Sequence, residues 1–198
     1  NFSEVPDLKT EMAEFGYDDA KMQEGKALYD EVLAVYNQNK QETSEEKEAY
    51  SKFSKAFDAL NAAYTKHRKI AKVALMNRPD LWKSLPIAGA ISKAYLQWME
   101  DAETLYTQAK THTEAQPLLE KFKLTPAVAD EQLAKLEELR TLRDAYNKEK
   151  GESQDATKAK DAAFAKIADW MREFYAVAKI ALDDRPQLLE SIGKWMRS

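Results

Sequence analysis

Two histidines are present in this chain of 198 residues, and histidine is the usual acid–base and metal-binding side chain. His67 belongs to a series of apolar residues at helical spacing, which favours a hydrogen-bonded core histidine over a catalytic one. His112 lies beside a polar stretch, which is typical of a solvated helix end. A di-iron site in a helical bundle needs Glu-x-x-His motifs, and neither histidine has a glutamate three residues before it. We therefore predict no catalytic residue, no metal site and no bound cofactor.

Two arginines could bind anions. Arg78 and Arg185 each precede a proline at the end of a predicted helix, at equivalent positions of a repeated segment. A planar guanidinium binds carboxylate or phosphate groups through two parallel hydrogen bonds. The alternative is structural, because a cation at this end of a helix satisfies free carbonyls and the helix dipole. The structural interpretation is favoured, and a pair of anion sites stays open as the alternative.

Tryptophans and a basic series are the remaining candidates. Trp82, Trp98 and Trp170, with Trp195, could line a ligand cavity between helices. Aromatic residues on helix stripes are more often plain core, so that interpretation is favoured. A basic series of Lys66, Arg68, Lys69 and Lys72 could attract an anionic partner. Among its counterparts in the repeat, only Lys179 is basic, which favours a solvated face.

These residues are positioned by a sequence repeat. Residues 71–85 return as residues 178–192, at a spacing of 107, and eight of the fifteen positions are identical. The same spacing pairs Phe57 with Phe164. A repeat of this kind indicates that one structural unit is used twice.

Five long helices are predicted. Asp18 and Thr125 are suited to N-caps, since their side-chain oxygens can accept from free backbone N–H groups. Polar residues at 43–44 and 151–153 predict loops that divide each copy into a helical hairpin. Alignment of Tyr36 with Tyr146 needs a spacing of 110, which predicts loops that differ by three residues. The predicted helices span 19–40, 45–76, 88–112, 126–150 and 154–183.

Apolar residues at spacings of three and four predict the buried face of each helix. Tyr29 and Tyr36 belong to the stripe of the first helix, and Phe164 belongs to that of the last. The helix at 88–112 connects the copies, and its counterpart would precede residue 1. The predicted organisation is a first repeat unit at 1–87, a connecting helix at 88–113 and a second unit at 114–198. We expect one compact, all-α domain, an up-and-down bundle of two duplicated hairpins and a fifth helix.

The helix start around Phe15 and Phe122, the long hairpin and the closing Arg-Pro-x-Leu-Leu-Glu-x-Ile-Gly at 185–193 resemble uncharacterised bacterial helical-bundle proteins with an internal duplication. The resemblance covers both repeats. It implies a helical fold and brings no activity with it.

Composition narrows the classes of function. The net charge of −4 and the pI of about 5.4 argue against nucleic-acid binding, which needs a clustered basic face. No apolar run approaches the length of about 18 residues that a membrane span requires. The chain has no cysteine, which is compatible with both the cytoplasm and the periplasm. Of the two compartments, we expect the cytoplasm. Because it begins with Asn1, we expect that a leader or another N-terminal segment has been removed.

The sequence predicts a non-catalytic helical module with a structural role or an unknown protein partner, and homo-oligomerisation is a further expectation. The alternative is a small-molecule or anion-binding protein that holds its ligand between helices. A pocket with convergent polar groups would favour the ligand, and an exposed apolar patch would favour the protein partner.

Overall fold

The computed structural model describes residues 6–193, and within that range the chain is all-α, which confirms the predicted fold class. No strand occurs among these described residues. Nor does any helix among them combine the length and the apolarity that crossing a membrane requires. The helices are α1 (Pro6–Glu14), α2 (Asp19–Ala74), a 3₁₀ helix (Pro79–Trp82), α3 (Tyr95–Thr111), α4 (Gln116–Glu120), α5 (Pro126–Ala181) and α6 (Leu188–Ser191).

The predicted hairpins are wrong. Helix α2 continues through Thr43 and α5 continues through Gly151 and Ser153, so neither copy contains the expected loop. Thr43 Oγ1 donates to the carbonyl of Asn39, one turn earlier, at 2.7 Å. Such a bond satisfies a hydroxyl inside a helix without ending it. A glycine inside a helix costs only about 1 kcal/mol relative to alanine, which the strong helix formers around Gly151 offset.

Positions 107 residues apart have matching local geometry. Helices α2 and α5 each contain 56 residues, so the predicted three-residue difference between the copies is wrong. The side chains of Asp18 and Thr125 each accept from the backbone N–H three residues later, at 3.0 and 3.3 Å, which confirms both N-caps. Two residues before each cap the backbone is left-handed, with φ of 85° at Gly16 and 65° at Lys123.

The chain forms two compact units. Unit I combines Asn1–Ser44 with Gly151–Ser198, and unit II is Glu45–Lys150. Each unit therefore takes the first part of one long helix and the last part of the other. The boundaries predicted from the sequence, at residues 87 and 113, divide the chain differently, because they assumed that each copy folds back on itself.

The two helix segments are antiparallel within each unit. In unit I, Glu31 pairs with Lys166 at 2.9 Å, and Asn39, further along α2, donates to Thr157, which lies earlier in α5. In unit II, the ring of Tyr50 lies 5.3 Å from that of Tyr146. Further along α2 in the same unit, His67 lies within electrostatic reach of Glu131. In both units, residues later in α2 thus lie beside residues earlier in α5.

Unit II contains a third long helix. Helix α3 contributes buried residues to one core with α2 and α5, and the centre of that core contains Tyr64, Trp98, Leu105, Tyr106 and Leu136. The predicted helix at 88–112 is confirmed from residue 95 onward. The residues before it form a loop, in which Gly89 has a φ of 67°. Arg68 of α2 donates to the carbonyl of Ala88 in this loop at 2.9 Å.

Unit I has a smaller core and no equivalent of α3 among its described residues. The side chains of Leu8 and Met12 from α1 are fully buried together with Tyr17. They pack with Trp170 and Phe174 of α5, whose rings are stacked 5.3 Å apart. Helices α1 and α4 thus occupy similar places, each just before a long helix.

Candidate functional site

The two arginines of the Arg-Pro motif contact carboxylates. Arg78 pairs with Asp80 at 2.7 Å and also with Glu114. The hydrogen bond to Asp80 and, after it, the one to Glu114 raise the pKa of Arg78 above its usual value. Arg185 pairs with Glu11 of α1. Each arginine therefore connects the end of one long helix to the segment just before the other, within one unit. An added anion would compete with these carboxylates, and the anion site stays a prediction.

The tryptophans lie in different places. Trp98 is buried in α3 and donates to Asn61 Oδ1 at 2.9 Å, while Trp82 donates to the carbonyl of Leu75 at 3.0 Å. Both belong to unit II. Trp170 lies in the core of unit I, and its Nε1–H has no hydrogen-bond partner among the described residues. Trp195 lies outside the described residues. No cavity lined by all three described tryptophans follows from this arrangement.

Both histidines make hydrogen bonds. His67 is partly buried, and its Nδ1 lies 3.0 Å from the hydroxyl of Tyr106 on α3. Burial and, to a smaller extent, Lys66 lower the pKa of His67, so its neutral form is favoured. The Nδ1 atom of His112 accepts from the backbone N–H of Ala115 at 3.3 Å, at the end of α3. Both contacts support a structural role for these side chains.

One of the four residues predicted to form a basic surface, Arg68, is buried. Arg68 is 5% exposed, so its placement on a solvated face is wrong. Its guanidinium holds the loop before α3 through the carbonyl of Ala88. At the equivalent position of unit I, the hydroxyl of Tyr175 donates to the carbonyl of Ile192 at 3.1 Å. In either unit, a polar group at this position thus bonds to a carbonyl of the segment that follows a long helix.

Trp170 fits into unit I because it faces a glycine. A Cβ atom added to Gly25 would lie 2.5 Å from the Trp170 ring, far inside van der Waals contact. In unit II the sizes are reversed: Gln132 is the counterpart of Gly25, and Ala63 is the counterpart of Trp170. There a groove of about 220 Å³ remains between α2 and α5, lined by both residues. Gln132 is 5% exposed, and its Oε1 has no hydrogen-bond partner among the described residues.

Two further cavities of unit II, each of about 340 Å³, lie at the start of α3. One contains Arg140, which pairs with Glu103 of α3 at 2.6 Å. The other is lined by Phe53, Phe57, Tyr95, Arg143, Tyr146 and Asn147. The guanidinium of Arg143 lies over the Tyr95 ring, 3.7 Å from its centre. Their polar groups therefore serve to attach α3.

A face of unit I exposes large apolar side chains. Tyr29, Leu33 and Tyr36 lie at spacings of four and three along α2, which places them on one side of the helix. By the antiparallel register of unit I, Phe164 of α5 lies level with Leu33. We call these four residues the open face; their exposed fractions are 53% for Tyr29, 43% for Leu33, 51% for Tyr36 and 45% for Phe164.

The counterparts of the open face in unit II pack with α3. Phe57, equivalent to Phe164, has its ring 4.8 Å from that of Trp98. Leu136, equivalent to Tyr29, is 1% exposed in the core that α3 shares. The counterparts of Leu33 and Tyr36 are Arg140 and Arg143, which contact Glu103 and Tyr95. In unit II, the counterparts of the open face thus contact α3 or lie in the core that α3 shares, although the Arg140 side chain stays 42% exposed.

Other exposed apolar residues behave differently. Phe15 and Phe122 are both about half exposed, and Val73 and Ile180 are 54% and 64% exposed, although each pair is shared between the two units. Exposure at these positions does not depend on the presence of α3. At the open face, by contrast, the counterparts in unit II contact α3 or share its core.

Sequence reasoning placed Tyr29, Tyr36 and Phe164 on buried stripes, and their exposure corrects that expectation. An apolar stripe has the same spacing whether or not another helix covers it. A usable signal was present, because the repeat assigns no partner helix to this part of the first copy. Comparisons of the chain with protein-family models, with curated proteins and with solved structures found no match.

Proposed function

We propose that this protein is a non-catalytic helical module that binds a protein partner through the open face. The observation that carries the proposal is the exposure of Tyr29, Leu33, Tyr36 and Phe164 at positions whose counterparts in unit II contact α3 or share its core. Contiguous apolar side chains on a surface are typical of protein–protein contacts. Aromatic side chains are also enriched where such contacts contribute most affinity.

The contacts of the polar candidates are in keeping with this proposal. The guanidinium groups of Arg78 and Arg185 contact carboxylates, and His67 contacts Tyr106. These side chains have structural partners, so a catalytic role is not needed to account for them.

Site-specific photo-crosslinking in the cells that produce the protein tests the proposal. A photoreactive phenylalanine analogue replaces Tyr36 on the open face or, as a matched control, Ile180, which is exposed in the same unit. We expect one defined protein adduct from position 36 and none from position 180, and the purified partner should lose binding to a Leu33→Glu variant. Absence of an adduct at position 36, or the same adducts from both positions, would reject the proposal.

A second candidate function is supported by the groove beside Gln132. Its volume of about 220 Å³ would admit a small flat molecule. Such a ligand would need a donor for the buried Oε1 atom, since an unpaired buried acceptor is unfavourable. Native mass spectrometry of the purified protein tests this candidate: a bound small molecule that is lost in an Ala63→Trp variant would support it. A bare chain mass in both proteins would reject it.

A further inference from the structure

Helix α3 shows how an antiparallel helix pair of this chain accommodates a third helix. It has 17 residues and lies against the α2 and α5 segments of unit II. It places Trp98 against Phe57 and Tyr64, and Tyr106 against Tyr64 and His67. The apolar positions of the helix pair therefore receive large aromatic residues of α3.

Polar contacts fix α3 at three points. Trp98 donates to Asn61, Tyr106 bonds to His67 and Glu103 pairs with Arg140. Each contact joins a specific polar group of α3 to a matching group of α2 or α5. A helix without these groups would leave the partly buried Asn61 and His67 without these partners, which is unfavourable for polar groups withdrawn from water.

Unit I replaces every one of these polar anchors with an apolar residue. The counterparts of Asn61, His67 and Arg140 are Ala168, Phe174 and Leu33. The stacked Arg143 becomes Tyr36, which is half exposed. Phe174 is 5% exposed and packs in the core of unit I, so it adds nothing to the surface. At the exposed positions of Leu33 and Ala168, the surface of unit I suits a different helix, one that is apolar where α3 has Glu103 and Trp98.

We infer that the open face receives a single amphipathic helix of a partner protein, in the place that α3 takes in unit II. The inference rests on the proposed function and names the chemistry of the partner. The helix carries aliphatic or phenylalanine side chains where α3 has Trp98 and Glu103. Helix recognition in an apolar groove is read through anchors at spacings of three and four, and Leu33, Tyr36 and Phe164 provide the surface for them.

A synthetic probe tests the inference on the intact protein. The probe is a fluorescent peptide with the sequence of residues 94–112 and two substitutions, Trp98→Phe and Glu103→Leu. The matched peptide keeps the α3 sequence. We expect the substituted peptide to bind at least about ten-fold more tightly by fluorescence anisotropy, because the α3 sequence would bury polar groups that unit I cannot pair.

Two protein variants locate the binding. Leu33→Glu places a charge on the open face and should abolish binding of the substituted peptide. Ile180→Glu is the control: Ile180 is exposed in the same unit, and its counterpart Val73 stays exposed although α3 is present. This variant should bind like the wild type. Circular dichroism of both variants should match the wild type, because both side chains are at the surface.

Three results would overturn the inference. The substituted peptide fails to bind, it binds equally well to the Leu33→Glu variant, or both peptides bind alike. Concentration-dependent dimerisation that Leu33→Glu abolishes would also overturn it, because a second copy would then occupy the face. If a protein adduct still forms at position 36, the proposed protein-binding function stands and only the helical nature of the partner is rejected.

Discussion

Units I and II place the same pair of antiparallel helix segments in different surroundings. In unit II, Leu136 is buried in the core that α3 shares, and Arg140 forms an ion pair with Glu103 of α3. In unit I the equivalent residues are Tyr29 and Leu33, and both remain exposed. The difference shows that a matching local backbone does not fix what covers a helix pair. The side chains differ accordingly: polar residues contact the helix that is present, and apolar residues occupy the face that is open.

The largest expected difference concerns Leu136 and its counterpart. Leu136→Ala should lower the free energy of unfolding by about 2 to 5 kcal/mol, because it leaves a cavity in the core beneath α3. Tyr29→Ala should cost no more than about 1 kcal/mol, since its side chain is half exposed. Chemical denaturation of both variants measures the two values. Equal losses would mean that Tyr29 is covered in solution, and the contrast between the units would fail.

A second difference lies at His67, where unit I has Phe174. His67→Phe should cost about 1 to 3 kcal/mol, because it leaves the hydroxyl of buried Tyr106 without its partner. Adding Tyr106→Phe should restore most of the loss, since both polar groups are then removed together. Urea denaturation of the single and double variants measures this. If the double variant is as unstable as the single one, the hydrogen bond is not the reason for a histidine here.

The third difference is the pair of Gly25 and Trp170, where unit II has a larger residue in place of the glycine and a smaller one in place of the tryptophan. Gly25→Ala should destabilise by about 1 to 3 kcal/mol, because the added methyl group overlaps the Trp170 ring. Gly151→Ala is the matched control: Gly151 also lies in a long helix, but its added Cβ meets no atom within 4 Å. The control should stabilise by about 0.5 to 1 kcal/mol through helix propensity. Thermal denaturation compares them, and stabilisation by both substitutions would show that Trp170 does not pack on Gly25.

The fold class and the helix starts were within reach of the sequence because they depend on local physics. Caps at Asp18 and Thr125 are satisfied within one turn. The hairpins were not predictable from local signals. Thr43 and Gly151 are weak helix residues, but they lie inside two long segments that stabilise each other in an antiparallel pair. The unfavourable helix propensity of such a residue, about 1 kcal/mol, is smaller than the stabilisation that packing between the two helices provides.

The open face was predictable only through the repeat. Spacing alone places Tyr36 and Phe164 on apolar stripes, and it cannot tell a covered stripe from an open one. The anchors of α3 depend on contacts between residues far apart in the chain, such as Asn61 with Trp98 and Arg140 with Glu103. Once those contacts are known, the equivalent positions identify which residues of unit I lack a helix.

A smaller difference between the units depends on pH. Burial and Lys66 lower the pKa of His67, Glu131 opposes them, and Lys135 acts with them. Because the folded pKa lies below the ordinary value of 6.5, the unfolded chain binds more protons, and stability falls as pH drops through about 6.5 and towards the folded pKa. Urea denaturation over this range should show wild type losing stability relative to the double variant with Phe at 67 and 106. A constant difference between them would contradict this.

The smallest expected effect is at Arg78 and Arg185, the positions that the units share. Both arginine side chains are more than one third exposed, and exposed ion pairs contribute little to stability. Each Arg→Ala should therefore lower the melting temperature less than Gly25→Ala does, and the double variant should show the sum of the two effects, because the pairs lie in different units. Differential scanning calorimetry measures these changes, and a loss larger than that of Gly25→Ala would show that the pairs hold the helix ends together.

Sulfate separates the structural role of these arginines from an anion site. If Glu114 and Glu11 occupy the guanidinium groups, sulfate should change the melting temperature of the wild type and of the double arginine variant equally. Stabilisation of the wild type alone would indicate binding to the native state and would make the arginines an anion site. Glu114→Gln sharpens the test, because it removes one competing carboxylate from Arg78 while Asp80 remains. A response to sulfate that appears only in this variant would show that the carboxylate, rather than the geometry of the helix end, keeps anions from Arg78.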